Sequence, residues 1–528
     1  LGKLNYCLRA LVEKGWVKAR RFSKNPNKRQ YAYILTPAGL DAKARLTVRF
    51  LQRKMQEYDS LQQEITTLRK KLPPQHSVLS THHLYHLGGG DTVTGSCHLL
   101  VANGCHILVD CGLAQGHDHA LPISQWPVPP AAIDYLFITH AHLDHCGRLP
   151  ELLDAGFAGE IITTFATRKL LFPMLADALA LQHVDEESEQ RFFSRLDERT
   201  WGFEYNETFE LKNGLRFRLG RAGHILGSAF VLLESREPPF RILFSGDLGA
   251  SDTPLLPDPD PPPPCDHLVL ESTYGDRLHQ GRRDRVQQLG EILTQALADN
   301  GKVYIPAFAL GRTQELLYEI DRLRTDPALR QQFPLLHSKK IPVVVDSPLG
   351  LTLTEVYEKL HPFWDREARD LLAAGDDPLD FPGLYAARNY RDHLRLAQMD
   401  GPAVIIAGSG MCTGGRIIHH LAVGLEDPKN DVIFVGYQAK GTPGRAIQRY
   451  AGTPGGYVFL DGLRIPIRAR VHTLTGYSAH ADQKGLIDWV ARMERKPDRI
   501  TLVHGEDHAR QALAEQLRLR GYSVSAEC

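Results

Sequence analysis

The stretch Ile138-Thr139-His140-Ala141-His142-Leu143-Asp144-His145 constrains this chain more than any other. It follows an apolar run, Tyr135-Leu136-Phe137, that reads as a buried strand, so three imidazoles and a carboxylate leave one strand end together. Imidazole nitrogen and carboxylate oxygen suit zinc, and His140 and His142, two apart, can turn to one side as the chain departs. Asp144 and His145 then point elsewhere, toward a second ion. A histidine-rich surface loop would account for any one of these residues. It gains nothing from a carboxylate set among them, whereas a two-metal site needs alternating ligands.

The 528 residues exceed what one hydrophobic core organises, so about two to four domains are expected. No run approaches the roughly 18 apolar residues of a membrane helix, and no charged-then-apolar leader opens the sequence. A cytoplasmic protein without membrane contact is the expectation. The eight cysteines are scattered with no C-x-x-C pair, which leaves metal chemistry to His and Asp. Lys and Arg balance Asp and Glu at 62 each, yet residues 1–72 hold 17 of the bases and 5 of the acids, leaving 45 against 57 elsewhere. The first segment is thus a candidate nucleic-acid binder by its field alone, although a solvated basic face would carry the same charge.

Within that segment, Leu4, Leu8, Leu11 and Val12 form a helical stripe over Leu1 to Glu13, which Gly15 stops. Trp16 to Phe22 and Tyr31 to Leu35 alternate like two strands around the basic turn Lys24 to Arg29. The wording from Leu1 to Trp16, with Thr36-Pro37-Ala38-Gly39, resembles part of a MarR-type winged helix regulator. That resemblance implies a recognition helix at residues 1–13 and a wing at 24–29 for DNA, with the supporting helices missing. From Leu40 to Leu72, apolar residues recur every three or four positions, including Leu51, Met55, Tyr58, Leu61 and Ile65. This suits one long helix, either packed on its own protein or pairing into a homodimer. Pro73-Pro74 ends it.

Beyond the prolines, candidate ligands sit where strands give way to loops. Asp110 closes Ile107-Leu108-Val109, His224 precedes the strand Phe230 to Glu234, and Asp247 ends Arg241-Ile242-Leu243-Phe244. A sheet sandwich covered by helices, with a metal site along one edge, follows from that recurrence. Asp110, His140-x-His142-x-Asp144-His145, His224 and Asp247, in this order, resemble the metallo-β-lactamase superfamily. The resemblance implies an αββα sandwich and a two-zinc hydrolase.

Fold alone does not choose the substrate. After Glu271-Ser272-Thr273, about 190 residues alternate helices with buried strands (Val303 to Pro306, Val343 to Asp346, Val404 to Ala407) before Tyr477-Ser478-Ala479-His480 and Val503-His504-Gly505. This looks like the β-CASP insertion of nucleic-acid-processing members, with Glu271, His480 and His504 at its three motif positions. Histidine at the last of these resembles the RNA-directed branch. The fold class expected is therefore α/β: a partial winged helix plus long helix over 1–72, the metallo-β-lactamase domain over 78–275, an inserted α/β β-CASP domain over 276–465, and the end of the sandwich over 466–528.

By resemblance, one Zn2+ takes His140, His142, His224 and Asp247, and the other takes Asp144, His145, His504 and the same Asp247. The implied reaction is hydrolysis of single-stranded RNA by a two-metal-activated hydroxide. His480 would be the proton donor, Glu271 would hold it, Asp110 would orient a ligand, and the products would be a 5′-phosphate and a 3′-hydroxyl. Arg312, Ser409 and Gly410 are candidate phosphate contacts, the latter two in a Gly-rich turn before a helix. His82, His83 and His86 match no ligand position and read as structural, His419 and His420 as packing or substrate-side polarity, and His117 and His119 as loop residues without a role. The alternatives are a small-ester or thioester hydrolase and a nucleic-acid-binding regulator.

Overall fold

The computed structural model describes residues 10–21, 31–50, 53–54, 82–279, 284–338 and 341–525, and the chain divides into two units, Leu1–Ser80 and Thr81–Cys528. In the first unit, Val17–Arg21 and Tyr31–Leu35 pair antiparallel with Val17 opposite Leu35. Residues 37–50 are helical, so the helix opens earlier than the apolar spacing suggests. The reason lies in Thr36-Pro37: Thr36 Oγ1 accepts from Gly39 N at 3.0 Å, and Pro37 brings a preset φ to the first turn. Gly39 is required there, because a Cβ would lie 1.9 Å from the Trp16 carbonyl oxygen. The expected recognition helix (1–9 of it), the turn 24–29 and the helix beyond 54 lie outside the described residues.

The second unit is built on two facing sheets. His82–Gly88, Cys97–Ala102, Cys105–Val109, Tyr135–Phe137, Glu160–Thr164 and Thr200–Phe203 run side by side in sequence order, antiparallel at first and then parallel. The other sheet has seven strands. Thr208–Glu210, Leu215–Arg221, Ala229–Arg236 and Pro239–Phe244 form an antiparallel meander, extended in parallel by His267–Glu271, Arg499–Val503 and Val524–Ser525.

Alternate residues decide the layers. Leu100, Ile107, Val109, Phe137 and Ile162 meet Phe217, Val231, Leu233, Ile242 and Phe244 between the sheets. Their neighbours Leu99, Leu108, Leu136 and Ile161 pack outward among residues of the helices Leu149–Asp154, Phe165–Leu181 and Glu186–Arg199. On the far side, Leu486, Trp489, Leu513 and Leu517 of Gln483–Ala491 and Asp507–Leu519 cover Leu232, Leu243, Leu268 and Leu270. Strands buried on both faces read as continuous apolar runs, which is why the sequence showed them so clearly.

Between His267–Glu271 and Arg499–Val503, which are neighbours in the second sheet, the chain departs into an all-parallel six-stranded sheet. Its order is Leu384–Ala386, Val343–Asp346, Ala403–Ala407, Lys302–Pro306, Asp431–Phe434 and Arg470–Thr473. The last strand pairs with Asp431–Phe434, so the chain returns to this sheet beyond residue 465, which lies in the separate hairpin Tyr457–Leu460 and Leu463–Pro466, and leaves it after Thr473. Arg470–Thr473 is a short, polar, partly exposed edge strand with no apolar run to announce it. All the carboxyl ends of this sheet lie at one edge, where α/β sheets bind ligands.

Phe137 is fully buried, with its ring 5.1 Å from Phe217 across the sandwich. Phe137→Ala is expected to destabilise the sandwich by about 3–5 kcal/mol. Guanidinium unfolding checks this: an unmoved midpoint would show that the core does not lean on that ring.

Candidate metal centre

Six strand ends deliver the site. Asp110 follows Cys105–Val109, His140 follows Tyr135–Phe137, His224 follows Leu215–Arg221, Asp247 follows Pro239–Phe244, Glu271 ends its strand and His504 follows Arg499–Val503. Asp110 and His504 turn off their strands with φ of 60° and 52°. Such left-handed backbone is uncommon outside glycine and is kept where surrounding structure enforces it. His142 is the N-cap residue of the short helix Leu143–Cys146, which carries Asp144 and brings the His145 ring to within 4.0 Å of the His140 ring. Gly112 lies directly under that helix, where a Cβ would come 1.6 Å from the Asp144 carbonyl oxygen.

The side chains gather into two groups around one carboxylate. His142 Nδ1 stands 3.1 Å from His140 Nε2 and 3.2 Å from His224 Nε2. His145 Nε2 and His504 Nε2 are 3.2 Å apart, and Asp144 Oδ2 is 3.7 Å from His504 Nε2. Asp247 lies between them. Its Oδ2 is 3.6 Å from both His140 Nε2 and His224 Nε2, while its Oδ1 is 3.3 Å from His145 Nε2 and 3.6 Å from His504 Nε2.

These spacings fit metal. Four ligands at a zinc–nitrogen distance of 2.0–2.1 Å form a tetrahedron whose edge is about 3.3 Å. The outer ring nitrogens of His140, His145 and His504 are already occupied, while that of His224 is buried without a hydrogen bond among the described residues. Thr139 Oγ1 donates to Asp110 Oδ2 at 2.9 Å and stands 3.1 Å from His140 Nδ1; Asp110 Oδ2 accepts from His145 Nδ1 at 2.7 Å; Thr273 Oγ1 is 3.0 Å from His504 Nδ1. Each contact turns an Nε2 lone pair inward, as partners behind metal ligands do. Asp247 Oδ1 is buried and has no hydrogen bond among the described residues, a cost that a cation would remove.

His480 and Glu271 stand beside this centre. Both Glu271 oxygens lie 3.1 Å from His480 Nδ1, and the carboxylate also accepts from Leu248 N at 2.6 Å and Thr273 N at 3.3 Å. His480 Nε2 is thereby turned toward Asp247 Oδ2, 3.8 Å away. Burial favours its neutral form, but Glu271 and Asp247 outweigh this and raise the pKa to about 9.

The pocket over these residues has a volume of about 170 Å³ and is closed by Phe308 to Arg312, Met411 and Tyr437 from the carboxyl edge of the parallel sheet. Arg312 lines it, with its guanidinium bound to Glu315. Glu315 continues to Arg285 at 3.5 Å, and Arg285 to Glu319 at 2.7 Å, all of them buried. Ser409 and Gly410 are not among the lining residues. Ser409 Oγ accepts from Thr413 N at 2.9 Å within its own loop, and Gly410 O accepts from Gln438 Nε2 of the loop after Asp431–Phe434 at 2.8 Å, so both are engaged inside the insert.

Asp346, His393 and His420 also cluster, but Asp346 Oδ2 accepts from both imidazoles at 2.6 Å while Oδ1 accepts from Arg416 at 2.6 Å. Separations that short, with a guanidinium attached, make a hydrogen-bonded carboxylate rather than an ion cage. His419 joins this cluster through His393 Nε2 at 2.7 Å, and His86 meets His98 at 2.9 Å. The residues the sequence did not single out are Thr139, Thr273 and Glu315. Only the i, i+3 spacing of Arg312 and Glu315 was legible beforehand.

Residues 90–307 match the metallo-beta-lactamase superfamily, 313–447 the Beta-Casp domain and 464–526 the Zn-dependent metallo-hydrolase RNA specificity domain. Ribonuclease TTHA0252 of Thermus thermophilus is 39% identical over 446 residues, 83% of this chain and 96% of that protein. The chain belongs to the metallo-β-lactamase superfamily, in its β-CASP family. Two further relatives are longer. Transcription termination factor FttA of Thermococcus kodakarensis is 32% identical over 80% of this chain and 66% of its own length. Cleavage and polyadenylation specificity factor 73 of Drosophila melanogaster is 32% identical over 83% of this chain and 62% of its own.

Asp110→Ala would leave the buried Thr139 N–H, which donates to Asp110 at 2.8 Å, and the His145 ring without an acceptor. Metal affinity, titrated against a competing chelator, is expected to fall roughly 10–100-fold.

Proposed function

We propose that this chain is a zinc-dependent ribonuclease that hydrolyses phosphodiester bonds of single-stranded RNA with two Zn2+. The observation that carries this reading is the Asp247 carboxylate, with one oxygen facing His140 and His224 and the other facing His145 and His504. His140, His142 and His224 would hold one ion, and Asp144, His145 and His504 the other. Bound there, the ions would lower the pKa of a water and place positive charge against the phosphate oxygens.

The chain's own residues do the rest. Asp110, Thr139 and Thr273 fix the imidazoles so that no reorganisation is needed when the substrate arrives. His480, anchored at Nδ1 by Glu271, presents Nε2 to the pocket and holds a proton there. As the new P–O bond forms and the bond from phosphorus to the sugar O3′ breaks, that oxygen takes the proton, leaving a 3′-hydroxyl and a 5′-phosphate. Arg312 stands in the pocket wall for a backbone phosphate, with Glu315 holding it in place. Histidine at position 504, the match to an RNA specificity domain and the ribonuclease relative support RNA over a small ester as substrate.

His480→Ala is expected to keep the zinc content of the wild type while the cleavage rate falls by roughly 10²–10⁴. Equal loss of zinc and activity would instead make His480 a ligand. Chelator treatment should abolish cleavage of a 5′-labelled RNA, with recovery on adding Zn2+. Activity that survives complete metal removal would overturn the two-zinc reading. The same sequence supplied as DNA tests the sugar preference.

A further inference from the structure

A second, larger cavity of about 710 Å³ adjoins the catalytic pocket, and Thr273, Gly436, Tyr437 and Ser478 line both. Its walls come from the sandwich and from the insert, and they are unevenly charged. Glu506, the one acid among the lining residues, is engaged, accepting from Tyr437 Oη at 2.7 Å, and the lining Arg277 is paired with Asp276 at 2.7 Å. Among the described residues no ion pair or side-chain hydrogen bond holds the side chains of Lys440, Arg445 or Arg449, all of them exposed.

Arg445 and Arg449 stand four apart on the helix Pro443–Tyr450, whose buried anchor is Ile447. Like charges at that spacing repel and weaken a helix. Here they share one face of the groove, and Arg449 lies 5.6 Å from the ring of Tyr450, itself 42% exposed. Cations left without acids, an open aromatic ring and continuity with a phosphodiester site form the combination that tracks a single strand. They stand together in a region where acids outnumber bases, residues 73–528 holding 57 against 45.

We propose that this groove binds the sugar–phosphate backbone of the RNA strand beyond the scissile phosphate, with Arg445 and Arg449 on successive phosphates and Tyr450 as a stacking face for a base. The inference rests on the ribonuclease reading. It adds a binding track outside the catalytic pocket, and it makes affinity depend on substrate length and on salt.

The test is cleavage of a labelled single-stranded RNA, about 20 nucleotides long so that it spans several phosphate sites, by zinc-loaded protein over a series of salt concentrations. The wild type is compared with R445E/R449E and with R191E/R366E, whose arginines are 64% and 89% exposed and pair locally on other helices. The groove variant is expected to raise KM roughly tenfold and to flatten the plot of log(kcat/KM) against log[salt] by about 1.4, near 0.7 for each phosphate deprived of its cation. The control pair should keep both wild-type values. A milder K440Q/R449Q variant, checked for an unchanged melting temperature, should show a smaller change in the same direction. It guards against misfolding of the charge-reversed protein. If the wild type cuts RNA and both groove variants match it in KM and salt slope, the groove proposal is wrong and the ribonuclease reading stands. A wild type that holds its zinc and cuts no RNA would sink both.

Discussion

Everything at this site depends on one buried carboxylate shared by four imidazoles. An ionised Asp247 in a nearly dry position is costly by itself, and it is tolerable only with compensating charge at both oxygens. Meeting that condition requires separate segments to arrive close to one side chain. His140 and His145 come from the segment after Tyr135–Phe137 and its short helix, and His224 and His504 from the turns after two strands of the other sheet. The sandwich supplies this convergence because its strands end along a common edge.

The layer behind the clustered histidines is as specific as the cluster itself. Asp110, Thr139 and Thr273 occupy the outward nitrogens of three rings, so each ring has one orientation and one inward lone pair. Glu271 does the same for His480, with two backbone amides fixing the carboxylate in turn. Asp346 shows the opposite outcome. There the same residue types, one Asp and two His, approach to 2.6 Å and satisfy each other with Arg416, which leaves no room and no charge for an ion. Residue identity alone does not distinguish a metal centre from a buried ion cluster; spacing and the remaining partners do.

The inserted parallel sheet completes the site from above. Its carboxyl ends carry the loops that close the catalytic pocket, and its helix Arg312–Thr325 begins with the arginine in the pocket wall. The network of Arg312, Glu315, Arg285 and Glu319 lies almost wholly buried under that wall. Removing one member of such a set would leave an uncompensated charge, so it fixes the geometry of the junction more than it adds stability.

By itself, the sequence determined the layered architecture and named the His and Asp residues that the fold gathers around Asp247. The H-x-H-x-D-H run, the strand-end carboxylates and the doubly buried apolar runs are local patterns, and local patterns survive in one dimension. Only the tertiary structure decided which oxygen of Asp247 faces which histidines, that Thr139 and Thr273 stand behind the rings, that Arg312 is held by Glu315, and that Ser409 and Gly410 are bonded to Thr413 and Gln438 and do not line the pocket. It also decided that the polar edge strand Arg470–Thr473 belongs to the insert. Most of these features rest on contacts between residues tens to hundreds of positions apart, or on edge pairing without an apolar signature. Neither leaves a periodic trace in the chain, because each is set by where separate strands end and not by what precedes them.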